Sequence, residues 1–108
     1  MTTVLVCGGR TYDDAFRVRL ELNKIRPARI IHGGARGADY LADCYAEMEG
    51  IDHRSYPIRR PHEDGYRRNQ RMLNSEPIDL VLAFPGGSGT ADMVRRARAA
   101  NIPVIEVK

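Results

Sequence analysis

Three glycine-rich segments carry the residue types that bind phosphate, and each follows a short apolar run and precedes a helix-like pattern. They are Cys7-Gly8-Gly9-Arg10, His32-Gly33-Gly34-Ala35-Arg36-Gly37-Ala38-Asp39 and Pro85-Gly86-Gly87-Ser88-Gly89-Thr90. Glycine lacks the Cβ atom that would hold a phosphate away from the backbone, and N–H groups at a helix N-terminus attract anions. We therefore predict one composite anion site at which the three segments meet.

Polar side chains beside the glycines would add to the contacts with a phosphate. Arg10 and Arg36 offer guanidinium groups that match phosphate geometry, and the hydroxyls of Ser88 and Thr90 can donate hydrogen bonds. Each turn alone also fits a tight strand-to-helix connection, although the third holds more glycine than such a turn requires. The predicted ligand-binding residues are Gly8, Gly9, Arg10, Gly33, Gly34, Arg36, Gly37, Asp39, Arg68, Asn69, Pro85, Gly86, Gly87, Ser88, Gly89 and Thr90.

Two carboxylates and two helix residues near these segments each have a functional and a structural interpretation. Asp39 and Asp92 could act in catalysis, or they could cap a helix and complement its dipole. Asn69 could contact a base or ribose edge, or cap the local backbone. Tyr66 could stack on a base, or pack as a half-buried helix residue.

The cysteines and histidines indicate neither a disulfide framework nor a metal centre. Cys7 is expected as a small core residue at a strand end and Cys44 within an apolar helix stripe, which fits a reducing compartment. His32 is expected at the end of a strand. His53 and His62 have no ligand-like spacing with cysteines or carboxylates, so we expect no metal and no resident cofactor.

Alternating strands and helices would position these residues. Apolar periodicity predicts strands over residues 2–6, 29–32, 53–56, 78–84 and 103–107 and helices over 13–25, 39–49, 65–75 and 88–100. In the second helix, Leu41, Cys44, Tyr45 and Met48 share the predicted buried face. The pattern predicts an α/β fold: a Rossmann-like, doubly wound, mostly parallel five-stranded sheet with helices on both faces. With strand order 3-2-1-4-5, the glycine segments meet at the topological switch point.

The composition, with 43% hydrophobic and 29% charged residues, predicts a single ordinary globular domain over residues 1–108. No apolar run approaches the roughly 20 residues that span a bilayer, and no basic leader precedes the first strand, so we expect a cytoplasmic protein. The net charge is +3, and 15 arginines stand against 2 lysines. This bias fits an anionic partner, or simply a GC-rich genome.

The order of four motifs resembles the SLOG superfamily, and within it the small YspA-type, YpsA-related branch of bacteria and phages. The motifs are the strand-Gly-Gly-Arg start, His-Gly-Gly-Ala-Arg-Gly-Ala-Asp, Arg68-Asn69-x-x-Met72 and Pro-Gly-Gly-x-Gly-Thr, and together they span nearly the whole chain. The resemblance implies a Rossmann-like fold that binds nucleotides or nucleotide-derived ligands. It also implies a homodimer or higher homo-oligomer, for which apolar residues on the third helix and over 97–100 give modest support.

The last two motifs are similar to those of LOG-type phosphoribohydrolases, which split a nucleoside 5′-monophosphate into free base and ribose 5-phosphate. Arg68 and Met72 match the arginine and methionine of that family. Its glutamate, the last residue of Pro-Gly-Gly-x-Gly-Thr-x-x-Glu, is Met93 here, and a thioether cannot serve as a general base. If the protein is an enzyme of this kind, the resemblance and the local carboxylates give Arg68, Asp39 and Asp92 as its catalytic residues.

Three hypotheses on function follow from the sequence. The first is a binding module for a nucleotide-derived small molecule, acting as sensor, carrier or sequestering protein. The second is a hydrolase that cleaves an N-glycosidic bond. The third is a DNA-binding module, since Arg-Asn-x-x-Met also resembles the DNA-processing protein A family, but 7 aromatic residues without Trp argue against DNA as a partner. No membrane partner is indicated.

Overall fold

The computed structural model describes residues 2–108, in which five strands and four helices alternate strictly. The strands are β1 (Thr3–Cys7), β2 (Arg29–His32), β3 (Asp52–Ser55), β4 (Leu80–Ala83) and β5 (Val104–Glu106). The helices are α1 (Ala15–Ile25), α2 (Ala38–Glu49), α3 (Gly65–Ser75) and α4 (Ser88–Ala99). The predicted elements all form, with ends that differ by at most two residues.

All four strand pairings are parallel, and the order is β3-β2-β1-β4-β5. The central strand β1 places Leu5 beside Ile31 of β2 on one side and Val81 of β4 on the other. The predicted Rossmann-like fold class is confirmed, and the strand order is the one considered in the sequence analysis. The strand order reverses between β1 and β4, so the crevice of the fold opens there, beyond the carboxyl ends of these strands.

Helices cover both faces of the sheet, and alternate residues of β1 pack into two separate cores. Val4 and Val6 belong to the cluster beneath α1 and α2, whereas Leu5 and Cys7 belong to the cluster beneath α3 and α4. This alternation follows from the two-residue period of a strand. Because both faces of the sheet are covered, β1 and β4 are continuous apolar runs rather than alternating apolar and polar residues.

The exposed apolar surface lies mainly on the outer sides of α1 and α2. Phe16, Leu20, Tyr40 and Met48 are the large exposed side chains of these two helices. The prediction that Met48 shares the buried face of α2 is therefore wrong, whereas Tyr45 on that face is buried. Among residues 2–108, no helix has the length and apolar character needed to cross a membrane.

Candidate functional site

Two of the helices begin at the carboxyl edge of the sheet without a side-chain cap. The N-cap residues of α2 and α4 are Gly37 and Gly87, and neither makes a side-chain cap bond. By contrast, Asp14 and Asp64 cap α1 and α3 by accepting hydrogen bonds from backbone N–H groups. An uncapped helix start presents N–H donors and the positive end of the helix dipole. The first turn of α2 already carries the carboxylate of Asp39, whereas that of α4 carries no acidic residue, so the start of α4 is the better suited of the two to bind an anion.

Gly9 joins the three glycine-rich segments. Its N–H donates to the carbonyl oxygen of Pro85 at 2.9 Å, and its own carbonyl oxygen accepts from the N–H of Ala38 at 3.2 Å. A Cβ atom added to Gly86 would lie 2.6 Å from the nitrogen of Gly9. The three segments therefore meet at the switch point, where the topology predicted them.

The glycines of these segments fall into two groups. A Cβ atom added to Gly8 would lie 2.5 Å from the Cβ of Ala38, and one added to Gly33 would lie 2.6 Å from the guanidinium carbon of Arg68. Cβ atoms added to Gly87 or Gly89 would meet nothing within 4 Å. The first group is required for close packing within the protein, whereas the second leaves open space over the start of α4.

The guanidinium of Arg68 is held by carbonyl oxygens rather than by a carboxylate. Its Nη1 donates to the carbonyl of Gly33 at 2.6 Å and to that of Tyr56 at 3.2 Å. Within residues 2–108 it makes no ion pair. Burial lowers the pKa of Arg68, and the charge of Asp39 opposes that effect. The surroundings thus leave the positive charge of this half-buried group undercompensated.

Asp39 stabilises the second glycine-rich segment through hydrogen bonds with its backbone. Its Oδ2 accepts hydrogen bonds from the N–H groups of Gly33 at 3.1 Å and Ala35 at 3.2 Å, and the residue is buried. Burial raises the pKa of its carboxyl, while these bonds and the charge of Arg68 act in the opposite direction. The contacts of Asp39 give it a positioning role beside the cleft.

Asn69 and Asp92 connect α3 to α4. The Nδ2 of Asn69 donates to the carbonyl of Gly89 and to Oδ2 of Asp92, both at 3.1 Å. The buried Asp92 also accepts from Arg95 at 2.7 Å and from Arg96 at 2.8 Å. Both amide hydrogens of Asn69 and both carboxylate oxygens of Asp92 are therefore engaged within the protein.

Met93 and Cys7 lie in the apolar core beneath α3 and α4. Met93 is fully buried there, together with Leu5 and Ile31, so the position of the hydrolase glutamate faces the sheet in this chain. Burial, with a smaller contribution from the charge of Asp39, raises the pKa of the Cys7 thiol to about 12. A thiol with that pKa is not a nucleophile at neutral pH, which fits the interpretation of Cys7 as a core residue.

Exposed polar groups complete the rim of the cleft. Arg10 and Arg36 are exposed, and neither side chain makes a hydrogen bond or an ion pair within the described part of the chain. The hydroxyl of Tyr66 donates to Oγ of Ser88 at 3.3 Å, so the ring lies beside the start of α4. The Oγ1 of Thr90 occupies the space that a Cβ atom at Gly86 would need. Pro85 and Gly34 are exposed on the same rim.

Sequence reasoning missed Tyr56, which follows β3. Its carbonyl oxygen holds Arg68, its hydroxyl donates to Glu76 at 2.7 Å, and its ring lies 4.7 Å from the guanidinium carbon of Arg54. The available signal was its place directly after a strand that ends at the carboxyl edge. The sequence pattern predicted that the strand includes Tyr56, so this residue was interpreted as part of the strand and not as part of the site.

Comparisons with known proteins agree with the geometry. The family model described as YspA, cpYpsA-related SLOG family matches residues 2–62, which contain the first two glycine-rich segments. The Gene 61 protein of Mycobacterium phage D29 is 36% identical over 120 residues, covering 97% of this chain and 95% of that protein. The X-ray structure of TM1055 has the same fold, with a TM-score of 0.78 at 20% identity over 96% of this chain and 72% of that one. The chain belongs to the YspA, cpYpsA-related SLOG family.

Proposed function

We propose that the protein binds a nucleotide or nucleotide-derived ligand at the carboxyl edge of its sheet, with a phosphate between Arg68 and the start of α4. The observation that carries this proposal is the half-buried guanidinium of Arg68, which has no carboxylate partner within residues 2–108 and whose pKa is lowered by burial. An anionic ligand would supply the missing charge compensation and form charge-assisted hydrogen bonds.

Contacts between α3 and α4 support the placement of the phosphate. Asn69, the neighbour of Arg68, donates to the carbonyl of Gly89 in the first turn of α4, so the two helix starts lie side by side. The open space above Gly87 and Gly89 would let an anion approach the N–H groups of this turn. Exposed Arg10 and Arg36 would contact further phosphate oxygens.

Tyr66 is suited to contact the base of such a ligand. Its ring is about half exposed, and its hydroxyl reaches Ser88 at the start of α4. An exposed aromatic face next to a phosphate site provides a surface for stacking, which is worth about 1–3 kcal/mol for a base. The ligand would then extend from the start of α4 across the N-terminal turn of α3.

Binding without hydrolysis fits the side chains of the site better than cleavage of an N-glycosidic bond. Both oxygens of Asp92 accept hydrogen bonds from arginines or Asn69, so this carboxylate has no free oxygen to act as a general base, and Oδ2 of Asp39 is occupied by two backbone N–H groups. Met93 supplies no carboxylate in their place. We therefore favour a sensor, carrier or sequestering module.

Thermal shift with a ligand panel tests this proposal. The panel contains nucleoside monophosphates, ADP-ribose, NAD and cyclic nucleotides, each added to the purified protein. A ligand at 100 times its Kd stabilises the folded state by about 2.7 kcal/mol, which raises the Tm of a domain of this size by several degrees. We expect Arg68→Met and Gly87→Val to abolish the shift.

Arg67→Met is the matched control, since Arg67 is an exposed neighbour whose guanidinium reaches only the carbonyl of His62. The proposal is overturned if no ligand raises the Tm, or if Arg68→Met and Arg67→Met reduce the shift equally. Chromatography of the ligand after incubation with the protein separates binding from cleavage. Release of free base that is lost in Asp39→Asn would establish the hydrolase instead.

A further inference from the structure

Three potential metal ligands meet on the surface between α2 and the edge strand β3. Asp43 and Glu47 are one helical turn apart on α2, and His53 lies opposite them on β3. The Nε2 of His53 is 3.0 Å from Oε1 of Glu47 and 3.7 Å from Oδ1 of Asp43. The ligand atoms of all three residues lie within 4.8 Å of one another. This group is separate from the glycine-rich cleft.

The backbone fixes which nitrogen of His53 faces the carboxylates. Its Nδ1 lies 2.8 Å from the carbonyl oxygen of Ile51, and because a carbonyl can only accept, Nδ1 must carry the hydrogen. Nε2 faces carboxylate oxygens, which also only accept, so without a metal this nitrogen carries a hydrogen that it donates to Glu47. A metal ion would displace that hydrogen and take the lone pair of Nε2. A histidine whose outer N–H is held by a carbonyl is the usual arrangement of a metal ligand.

A buried histidine orients Asp43 in the same way. The N–H of Gly34 donates to Nδ1 of His32 at 3.0 Å, so this nitrogen accepts and the hydrogen of the neutral ring is on Nε2. That Nε2 lies 2.8 Å from Oδ1 of Asp43 and donates to it. His32 is almost completely buried, so its ring fixes the carboxylate of Asp43 from beneath.

We propose that Asp43, Glu47 and His53 bind a divalent metal ion of the zinc class, with solvent in a fourth position. Around a tetrahedral ion with bonds of about 2.0–2.2 Å, neighbouring ligand atoms lie roughly 3.4 Å apart. The distances of 3.0 and 3.7 Å bracket that value. One imidazole and two carboxylates match the mixed nitrogen and oxygen ligands that zinc accepts.

Charge also favours a divalent ion over a proton. A proton on Nε2 of His53 leaves two carboxylates facing one imidazolium, whereas a divalent ion neutralises both. The bound ion would join the exposed edge strand β3 to α2. Through His32, which contacts both Asp43 and Gly34, it would also support the second glycine-rich segment.

Calorimetric titration of Zn²⁺ into chelator-treated, tag-free protein tests the site. We expect saturable binding of one ion per chain, weakened at least about tenfold in His53→Gln. Asp43→Asn should weaken binding as well, and it keeps an oxygen that can accept from His32, so the fold should be retained. His62→Gln is the matched control, since it removes a histidine of the exposed loop before α3, and it should bind like wild type.

Co²⁺ spectroscopy identifies the ligand atoms independently of affinity. We expect visible d–d bands without a near-ultraviolet thiolate charge-transfer band, and the same spectrum in Cys44→Ser, which removes the thiol next to Asp43. Circular dichroism of each variant establishes that it is folded. The proposal is overturned if Zn²⁺ does not bind saturably, if His53→Gln binds as tightly as wild type, or if a thiolate band appears that Cys44→Ser removes.

Discussion

Arg68 spans the ends of two parallel strands, because its Nη1 donates both to the carbonyl of Gly33 after β2 and to that of Tyr56 after β3. The guanidinium also occupies the space that a Cβ atom at Gly33 would need. Its position is therefore set by backbone atoms of the sheet edge rather than by a charged partner. This arrangement holds a positive group in a fixed place while leaving its charge available.

Replacing Arg68 with lysine separates charge from geometry. The substituted side chain would keep one positive charge but would lose the planar group that reaches two carbonyls at once. We expect the affinity for the ligand identified by thermal shift to fall at least about tenfold, while the far-ultraviolet circular dichroism spectrum stays unchanged. Isothermal titration of Arg68→Lys beside Arg67→Lys measures this, and equal affinities of the two variants would contradict the role assigned to Arg68.

Gly8→Ala should lower the stability of the fold, whereas Gly87→Ala should weaken ligand binding and leave stability nearly unchanged. Gly8→Ala places a Cβ atom 2.5 Å from that of Ala38 and 3.0 Å from that of Phe84, and such overpacking typically costs about 1–3 kcal/mol. Gly87→Ala meets no protein atom within 4 Å, so the free energy of unfolding should change by less than about 0.5 kcal/mol. Urea unfolding measures both, and titration should show that Gly87→Ala binds ligand more weakly.

Asn69 should contribute to stability through its link between α3 and α4. Asn69→Ala removes two hydrogen bonds and leaves the buried carboxylate of Asp92 with fewer donors, so we expect a loss of about 1–3 kcal/mol. Asn74→Ala on the exposed side of α3 is the control and should cost much less. If urea midpoints show equal losses for the two variants, the link between the helices does not stabilise the fold.

Glu76 should make the stability of the protein depend on pH in the acid range. The hydrogen bond from Arg29 holds the pKa of Glu76 below its usual value of 4.5, with a smaller contribution from Tyr56 and opposition from burial. Because the folded pKa is the lower one, this stabilisation is complete above about pH 4.5 and is lost as the pH falls through the folded value.

Glu76→Gln should remove that dependence. The difference in unfolding free energy between wild type and variant should be largest near pH 7 and should shrink in strong acid. Urea unfolding at a series of pH values between 7 and 3 measures it. A difference that stays constant over this range would show that ionisation of Glu76 does not contribute.

The two cysteines should differ in reactivity. The pKa of the buried Cys7 thiol is raised to about 12, whereas Cys44 is only partly buried on α2. Iodoacetamide at pH 7.5 should therefore label Cys44 in the native protein and Cys7 only after denaturation. Mass spectrometry of peptides locates the label, and rapid native labelling of Cys7 would contradict the assignment of this residue to the core.

Most of the fold could be predicted from the sequence, because apolar periodicity and short glycine turns report on local structure. The alternation of strands and helices predicted a parallel sheet with right-handed crossovers, whereas the order of the strands was a supposition that the sequence did not determine. Ends of elements were less well predicted: β4 covers Leu80–Ala83 within the expected 78–84, since apolar side chains continue beyond the paired backbone. The prediction for Met48 was wrong because apolar residues at helical spacing do not show which of them another element of the fold covers.

The contacts of the candidate site depend on distant parts of the chain, which the sequence pattern does not show. Asp39 and Asp92 were offered as catalytic or structural residues, and only the structure shows the donors that surround each carboxylate. The group formed by Asp43, Glu47 and His53 was also hidden, since a turn and the start of β3 separate the histidine from the two acids. The expectation of no metal rested on the spacing of histidines, cysteines and carboxylates along the chain, which does not show which of them meet in the fold.

The hydrogen bonds of Gly9 have a consequence for motion at the rim of the cleft. Gly9 belongs to the first segment, its N–H is bonded to Pro85 of the third, and its carbonyl oxygen is bonded to Ala38 of the second. None of the three turns can swing outward without breaking a bond to another, so the rim should open only together with the central strands. Adjustment to ligands of different size must then come from the opposite wall, where residues 57–64 lead into α3, and hydrogen exchange should be slow at Gly9 and fast in that segment.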